Sequence, residues 1–235
     1  MVNKTTKKGA LIEDFGRKEL PFDNQNFSLL EYSDYFCNGF QKKLKCKDLG
    51  KKFTVINSYF FEYLNGYNIP TAFLEIESRN SIKLLKIDKF KFHIKILNYI
   101  DKRTAKIFGR KEGEALNLPL YEFHYGEEKE TLISESHLLS FNLCTSDESR
   151  LIVRICSKVN AVLRSFFERR NLMLAEVNCY FGKHENKIYI VDDFTPKSLR
   201  VLNQDKNSKW IDPYKLDSSS HVKNYTDQIF NLMSV

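Results

Sequence analysis

The stretch LMLAEVNCYFGKHENKIYIVDDFTPKSLRVL, residues 172–202, decides the fold. Two runs rich in β-branched and aromatic residues, LMLAEVNCYF (172–181) and KIYIV (187–191), flank GKHEN, which is the spacing of a β-hairpin. Side chains alternate along a strand, so Glu176, Asn178 and Tyr180 share one face of the first run. Asp192 closes the second run and Asp193 follows it. Oxygen ligands gathered at a strand end suit a Mg²⁺ ion that bridges phosphates. Strand ends that meet solvent are acidic for no catalytic reason as well.

Upstream of the hairpin, Thr145 and Glu148 stand three apart, the signature of a capping box. Leu151, Ile155, Val159, Val162 and Phe166 then repeat at helical spacing, and Asn171 can take the left-handed residue that ends the helix. An earlier helix is marked by Val55, Ile56, Tyr59, Phe60, Tyr63 and Leu64. Gly66 supplies its left-handed stop, and Pro70 follows as a residue that cannot continue it. FSLLEYSDYF (27–36) reads as a strand, 37–52 as a polar loop and 71–98 as strand-rich. Within KFKFHIKILN, Phe90, Phe92, Ile94 and Ile96 form an apolar face, and Lys89, Lys91, His93 and Lys95 a basic one. The alternation favours water for the basic face; lining a cleft, the same face would attract phosphates. A short helix is expected over 227–232, and residues 1–10 read as frayed.

The 235 residues suit one large domain or two lobes around one cleft. At 42% apolar and 14% aromatic, the chain can bury a core, which excludes global disorder. No apolar run approaches the roughly 18 residues of a membrane span, and the basic N-terminus lacks the apolar segment of a signal peptide. The expected location is cytoplasmic. Five cysteines at irregular spacing argue for reduced, packed thiols rather than disulfides or zinc. A net charge of +7 suits anionic partners. The densest cluster, Lys42 to Lys52, lacks interleaved aromatics, so a solvated loop is favoured over a nucleic-acid patch.

Four collinear segments resemble the SAICAR synthetase family. NIPTAF (68–73) is similar to its "GIPT" turn, and KIFGRKEGEALNLPLYEF (106–123) to its "KR-L-G-EG-L-P-P-EF" segment. Residues 172–202 resemble "LVDFKLEFG…-V-L-DE-SPDS-R-W", and WIDPYKL (210–216) stands where the family has "LDKD-FR". The resemblance implies an α+β fold of two lobes with antiparallel sheets and ATP between them. Residues 1–88 would form the ATP-binding lobe and 89–235 the lobe with the metal and substrate site. It also implies an activity: ATP phosphorylates a substrate carboxylate, aspartate's amine attacks the acyl phosphate, and Mg²⁺ accompanies the nucleotide. A small-molecule nucleotide and aspartate are then the expected partners, and a homo-oligomer is compatible with this.

Carried over residue by residue, the resemblance places catalytic carboxylates at Glu176 and Asp192, and metal ligands at Asp192 and Asn178. It places substrate contacts at Asn98, Arg103, Ser198 and Arg200. Nucleotide contacts are expected at Gly16, Arg17, Lys18, Lys86 and Lys89. The chain also departs from the pattern. Glu19 replaces the second Lys of "GKxK", Leu97 the Arg of "RN-AAGS" and Arg103 its Ser. In "DFKLEFG", Glu176, Asn178 and Tyr180 replace Asp, Lys and Glu; in "SPDS-R", Lys197 replaces Asp. Arg103 and Lys197 could supply the cation missing at Leu97, or could mark a different ligand. These changes leave two readings: an enzyme with a rebuilt site, or a relative that binds nucleotide or a protein partner without turnover.

Overall fold

The computed structural model describes residues 13–14, 17–21, 26–37, 43–126, 131–191, 193–205 and 208–234. Asp192, Gly16, Lys42 and residues 1–10 lie outside the described residues.

The first sheet is antiparallel. It contains β1 (Glu13–Asp14), β2 (Arg17–Pro21) and β3 (Phe27–Tyr32). The short ribbon of β4 (Tyr35–Cys37) and β5 (Lys43–Lys45) follows, then α1 (Leu49–Gly66). The chain returns to the first sheet with β6 (Phe73–Ser78) and β7 (Ser81–Leu85), giving the order β1-β2-β3-β7-β6.

Two expectations fail in this half, for one reason. The strand expected over 27–36 breaks after Tyr32, and the loop expected over 37–52 contains β5 and the start of α1. Asp34 turns its carboxylate onto the backbone N–H groups of Asp48 and Gly50, at 3.1 and 3.0 Å. It thereby satisfies donors that the first turn of a helix leaves open. Gly50 also allows a close approach, because a Cβ there would stand 2.5 Å from the carbonyl oxygen of Tyr32. At the other end of α1 the left-handed residue is Asn68 (φ 57°), two positions past the expected Gly66.

The second sheet holds the site. It is built from β8 (Asp88–Tyr99), β9 (Ala115–Tyr125), β10 (Thr131–Ile133), β11 (Leu172–His184), β12 (Lys187–Val191) and β13 (Leu199–Asn203). Its order is β10-β9-β8-β11-β12, with β13 also paired to β11, and all these pairings are antiparallel. The remaining elements are α2 (Lys102–Phe108), α3 (Glu135–Ser140), α4 (Ser146–Glu168), α5 (Ser219–Asn231) and a 3₁₀ turn at Leu232–Ser234. The hairpin of β11 and β12 is tighter than expected: His184 pairs with Lys187, so Glu185 and Asn186 alone make the turn. The terminal helix begins at Ser219, eight residues before its expected start, where Ser218 accepts from the His221 N–H.

α4 covers one face of this sheet. Its capping box forms as read, and Asn171 is left-handed (φ 57°). The buried stripe runs through Ile152, Ile155, Val159, Leu163 and Phe166, whereas Leu151 is exposed. Opposite these residues, β8 presents Ile94 and Ile96 and β11 presents Val177, Cys179 and Phe181. Four cysteines are buried, Cys37 is half-buried, and all five are free thiols.

Candidate active site

With its apolar residues turned to α4, the second sheet carries its polar residues on the other face. The register sets them side by side. Lys95 on β8 pairs with Glu122 on β9 and with Asn178 on β11, while His93 pairs with His124 and with Tyr180. Glu176 on β11 pairs with Arg200 on β13. The basic face of β8, expected in water, is therefore largely covered from His93 onward: His93 is 4% exposed and Lys95 is half-buried. The reason is nonlocal, since the strand lies at the middle of a sheet whose second face is also packed. The rings of His124, His93 and Tyr180 form a row, with centroids 5.3 and 4.5 Å apart.

Glu176 is the centre of the charged group and is 2% exposed. Its Oε2 lies 3.4 Å from Lys95 Nζ, 3.5 Å from Arg200 Nη1 and 3.3 Å from the Tyr214 hydroxyl, which donates to it. Burial, then the Glu176 charge, push the Tyr214 phenol far up, so it remains a donor at neutral pH. Its ring lies 4.6 Å from the Arg200 guanidinium carbon and fixes the plane of that group. Lys95 Nζ is also 3.4 Å from Asp101, which caps α2 by accepting from the Thr104 N–H. Arg103, on α2, is ion-paired to Glu122. Next door, Trp210 donates its indole N–H to the carbonyl of Val201.

A second buried carboxylate lies close by. Asp193 accepts at 2.8 Å from Arg17 Nη1 and at 2.9 Å from the Thr195 hydroxyl, with the Ser198 hydroxyl at 3.4 Å. Burial raises the Asp193 carboxyl, but the charge and hydrogen bond of Arg17 outweigh this and hold it below the usual carboxylate range. Glu19 is held low despite partial burial, chiefly by Lys89, whose Nζ is 2.6 Å away. The carboxylate that departs from the family pattern is thus neutralised within the chain.

The expected site residues separate accordingly. Glu176, Asn178, Arg103 and Arg200 converge on the polar face, and Ser198 faces Asp193. Arg17 joins Asp193, Lys89 joins Glu19, and the side chain of Lys86 is exposed. Asn98 does not join them. It turns to α4, where it exchanges two hydrogen bonds with Asn160, at 2.8 and 2.9 Å. Its parity follows Ile94 and Ile96, so Asn98, expected at the substrate, sits instead in a buried amide pair with α4. Lys95, Glu122 and Tyr214 were not singled out from sequence. For Lys95 the signal was its place on the odd-numbered face, with nothing local to say what that face meets. A cavity of about 470 Å³ at the start of α4, lined by Asn142, Cys144 and Thr145, lies elsewhere. Burial and nearby Glu148 and Glu135 push its Cys144 thiol up to about 11, which makes it a poor nucleophile at neutral pH.

Two antiparallel sheets, tied by the Arg17–Asp193 and Lys89–Glu19 pairs and carrying converging cations and buried carboxylates, define an α+β protein. The sequence profile of the SAICAR synthetase family matches residues 19–228, and the chain belongs to that family, whose members are ATP-dependent ligases. It is 28% identical over 206 residues to a phosphoribosylaminoimidazole-succinocarboxamide synthase of Caldanaerobacter subterraneus subsp. tengcongensis, covering 86% of each chain. To the synthase of Sulfolobus acidocaldarius it is 29% identical over 184 residues, covering 76% of this chain and 78% of that one. The synthase structure from Ehrlichia chaffeensis superposes with a TM-score of 0.86 at 20% identity, covering 96% of this chain and 99% of the other. A SAICAR synthetase in complex with ADP superposes with the same score at 22% identity, over 96% and 97%. At these identities the structures establish the shared fold.

Proposed function

We propose that the protein joins aspartate to a carboxylated aminoimidazole ribonucleotide at the expense of ATP. A carboxylate oxygen of the nucleotide takes the γ-phosphoryl group and ADP departs. The aspartate amine then attacks the acyl carbon, phosphate leaves with the C–O bond, and the amine gives up a proton. Family membership supports the reaction. The observation that carries it onto these residues is the convergence of Lys95, Arg200, Glu176 and Asn178 on one sheet face. Residues 1–88 are assigned to the nucleotide, with Arg17 and Lys18 toward its phosphates, and 89–235 to the acid substrate. The reactants are water-soluble metabolites, and we assign the protein to the cytoplasm.

Mg²⁺ belongs to the same reading. Among the described residues no group of three His, Cys, Asp or Glu side chains is close enough to enclose a metal. Asn178 Oδ1, however, is a buried oxygen with no hydrogen-bond partner there. One such ligand fits an ion that takes one or two protein oxygens and completes its shell with water and phosphate. Asn178 and Asp192 are the assigned ligands, and the ion would neutralise phosphate charge during transfer. Asp192→Asn should abolish any Mg²⁺ enhancement of ATP binding in calorimetry; an undiminished enhancement removes Asp192 from the site.

The test of the reaction is aspartate-dependent ADP release with the carboxylated nucleotide. Nucleotide binding without that release would favour a relative that has lost turnover. The pairing of Glu19 with Lys89 argues against that second reading, since it removes the repulsion Glu19 would otherwise exert on a triphosphate.

A further inference from the structure

Lys95 occupies the middle of the polar face, and its contacts differ from those of its neighbours. Arg17 and Lys89 are held in short ion pairs, at 2.8 and 2.6 Å, and Arg103 is closely paired with Glu122. Lys95 and Arg200 instead approach the same oxygen of Glu176 at 3.4 and 3.5 Å. Charge-assisted bonds close at about 2.7–2.9 Å, so neither cation is committed to Glu176. An ammonium has three N–H donors, and among the described residues Lys95 directs long contacts at two carboxylates, Glu176 and Asp101. Arg200 keeps a buried Nε donor with no hydrogen-bond partner among the described residues, and Tyr214 holds its plane. Leu97, one pleat along the same face, offers no charge.

We infer that Lys95 and Arg200 form a two-point grip for a substrate carboxylate, with Glu176 as the positioning residue that keeps both cations on this face through long, weak contacts. This rests on the reaction proposed above. Glu176 and Asp101 balance the two charges, so the grip selects by hydrogen-bond geometry rather than by long-range attraction. Both reactants carry carboxylates, on the nucleotide and on aspartate, and kinetics distinguishes them.

The experiment compares the full-length chain with Lys95→Met, which keeps the stem and removes the charge, and Lys95→Arg. The KM for nucleotide, aspartate and ATP is measured for each. Lys95→Met should raise the KM for nucleotide or for aspartate about tenfold, the loss of one charged hydrogen bond, leaving the KM for ATP unchanged. Lys95→Arg should restore most of it. A rise for nucleotide assigns the grip to its carboxylate, and a rise for aspartate to the amino acid. A folded Lys95→Met variant with both values unchanged overturns the inference and leaves the reaction standing, as does a rise of all three that Lys95→Arg fails to reverse. If Lys95→Met does not fold, lysine methylation of the wild-type protein replaces it: a carboxylate substrate should protect Lys95, and absence of protection overturns the grip. If the wild-type protein does not turn over, the proposed reaction falls, and calorimetry decides the grip. Binding of either substrate that Lys95→Met loses supports it; no wild-type binding of either overturns it.

Discussion

Arg17 and Asp193 are 176 residues apart in the chain and 2.8 Å apart in space. The pair joins β2 of the first sheet to the loop after β12 of the second, and Asp193 is 6% exposed. An ion pair so placed reports on the docking of the two sheets.

Arg17→Met leaves the Asp193 carboxylate buried without its cation. Breaking a buried pair typically costs about 3–5 kcal/mol, and the partial exposure of Arg17 puts the expected loss near 2–3 kcal/mol. Urea unfolding should show it, and adding Asp193→Asn should recover part of the stability. A loss under 0.5 kcal/mol, the ordinary scatter of surface changes, would mean that the pair does not couple the sheets.

Acid should expose the same pair. The folded Asp193 carboxyl lies below its unfolded value of about 3.9, so its contribution is fully present above that pH and lost as pH falls through the lower folded value. Circular dichroism against pH should place the onset of unfolding below 4 for wild type. In Arg17→Met the carboxyl loses its cation and burial dominates, so the onset should move to higher pH. An unmoved onset would assign acid unfolding to other carboxylates, such as Asp101.

Asn98 is the position where stability and catalysis give opposite answers. Asn98→Leu leaves the buried Asn160 amide unpaired, at an expected cost of about 2 kcal/mol, while substrate KM stays at the wild-type value. Asn98→Leu with Asn160→Leu should regain much of the stability. A raised substrate KM with normal thermal stability would return Asn98 to the substrate site.

Gly50→Ala tests the packing of α1 against β3. The added Cβ meets backbone at 2.5 Å, which cannot rotate aside. Overpacking of this kind costs about 1–3 kcal/mol, and thermal unfolding should show it. Gly66→Ala is the control: a Cβ there has nothing within 4 Å, so it should be neutral or slightly stabilising.

Local chemistry was the legible part. The capping box at Thr145 and Glu148, the left-handed Asn171 and the two strands after it are each settled within a few residues of chain. The common face of Glu176 and Asn178 follows from strand parity alone. What parity cannot supply is the identity of the neighbour. The alternation along β8 suggests water for Lys95, the resemblance suggests substrate for Asn98, and what each meets depends on which face α4 covers. The break after Tyr32 depends on Asp34 reaching Gly50, 16 residues on. The neutralisation of Glu19 depends on Lys89, 70 residues on. The resemblance points to Glu176, Asn178 and Arg200, and it gives no sign that Lys95 shares their face.

Trp210 gives the chain a built-in optical reporter. It is the only tryptophan in the sequence, and its indole is anchored at 2.9 Å to the residue that follows Arg200. Its ring also stands edge-on to Tyr225, whose hydroxyl donates to the Leu199 carbonyl on the other side of Arg200. Any movement of Arg200 along β13 therefore changes the surroundings of one fluorophore, and emission at a single wavelength can follow occupancy of the site without a label.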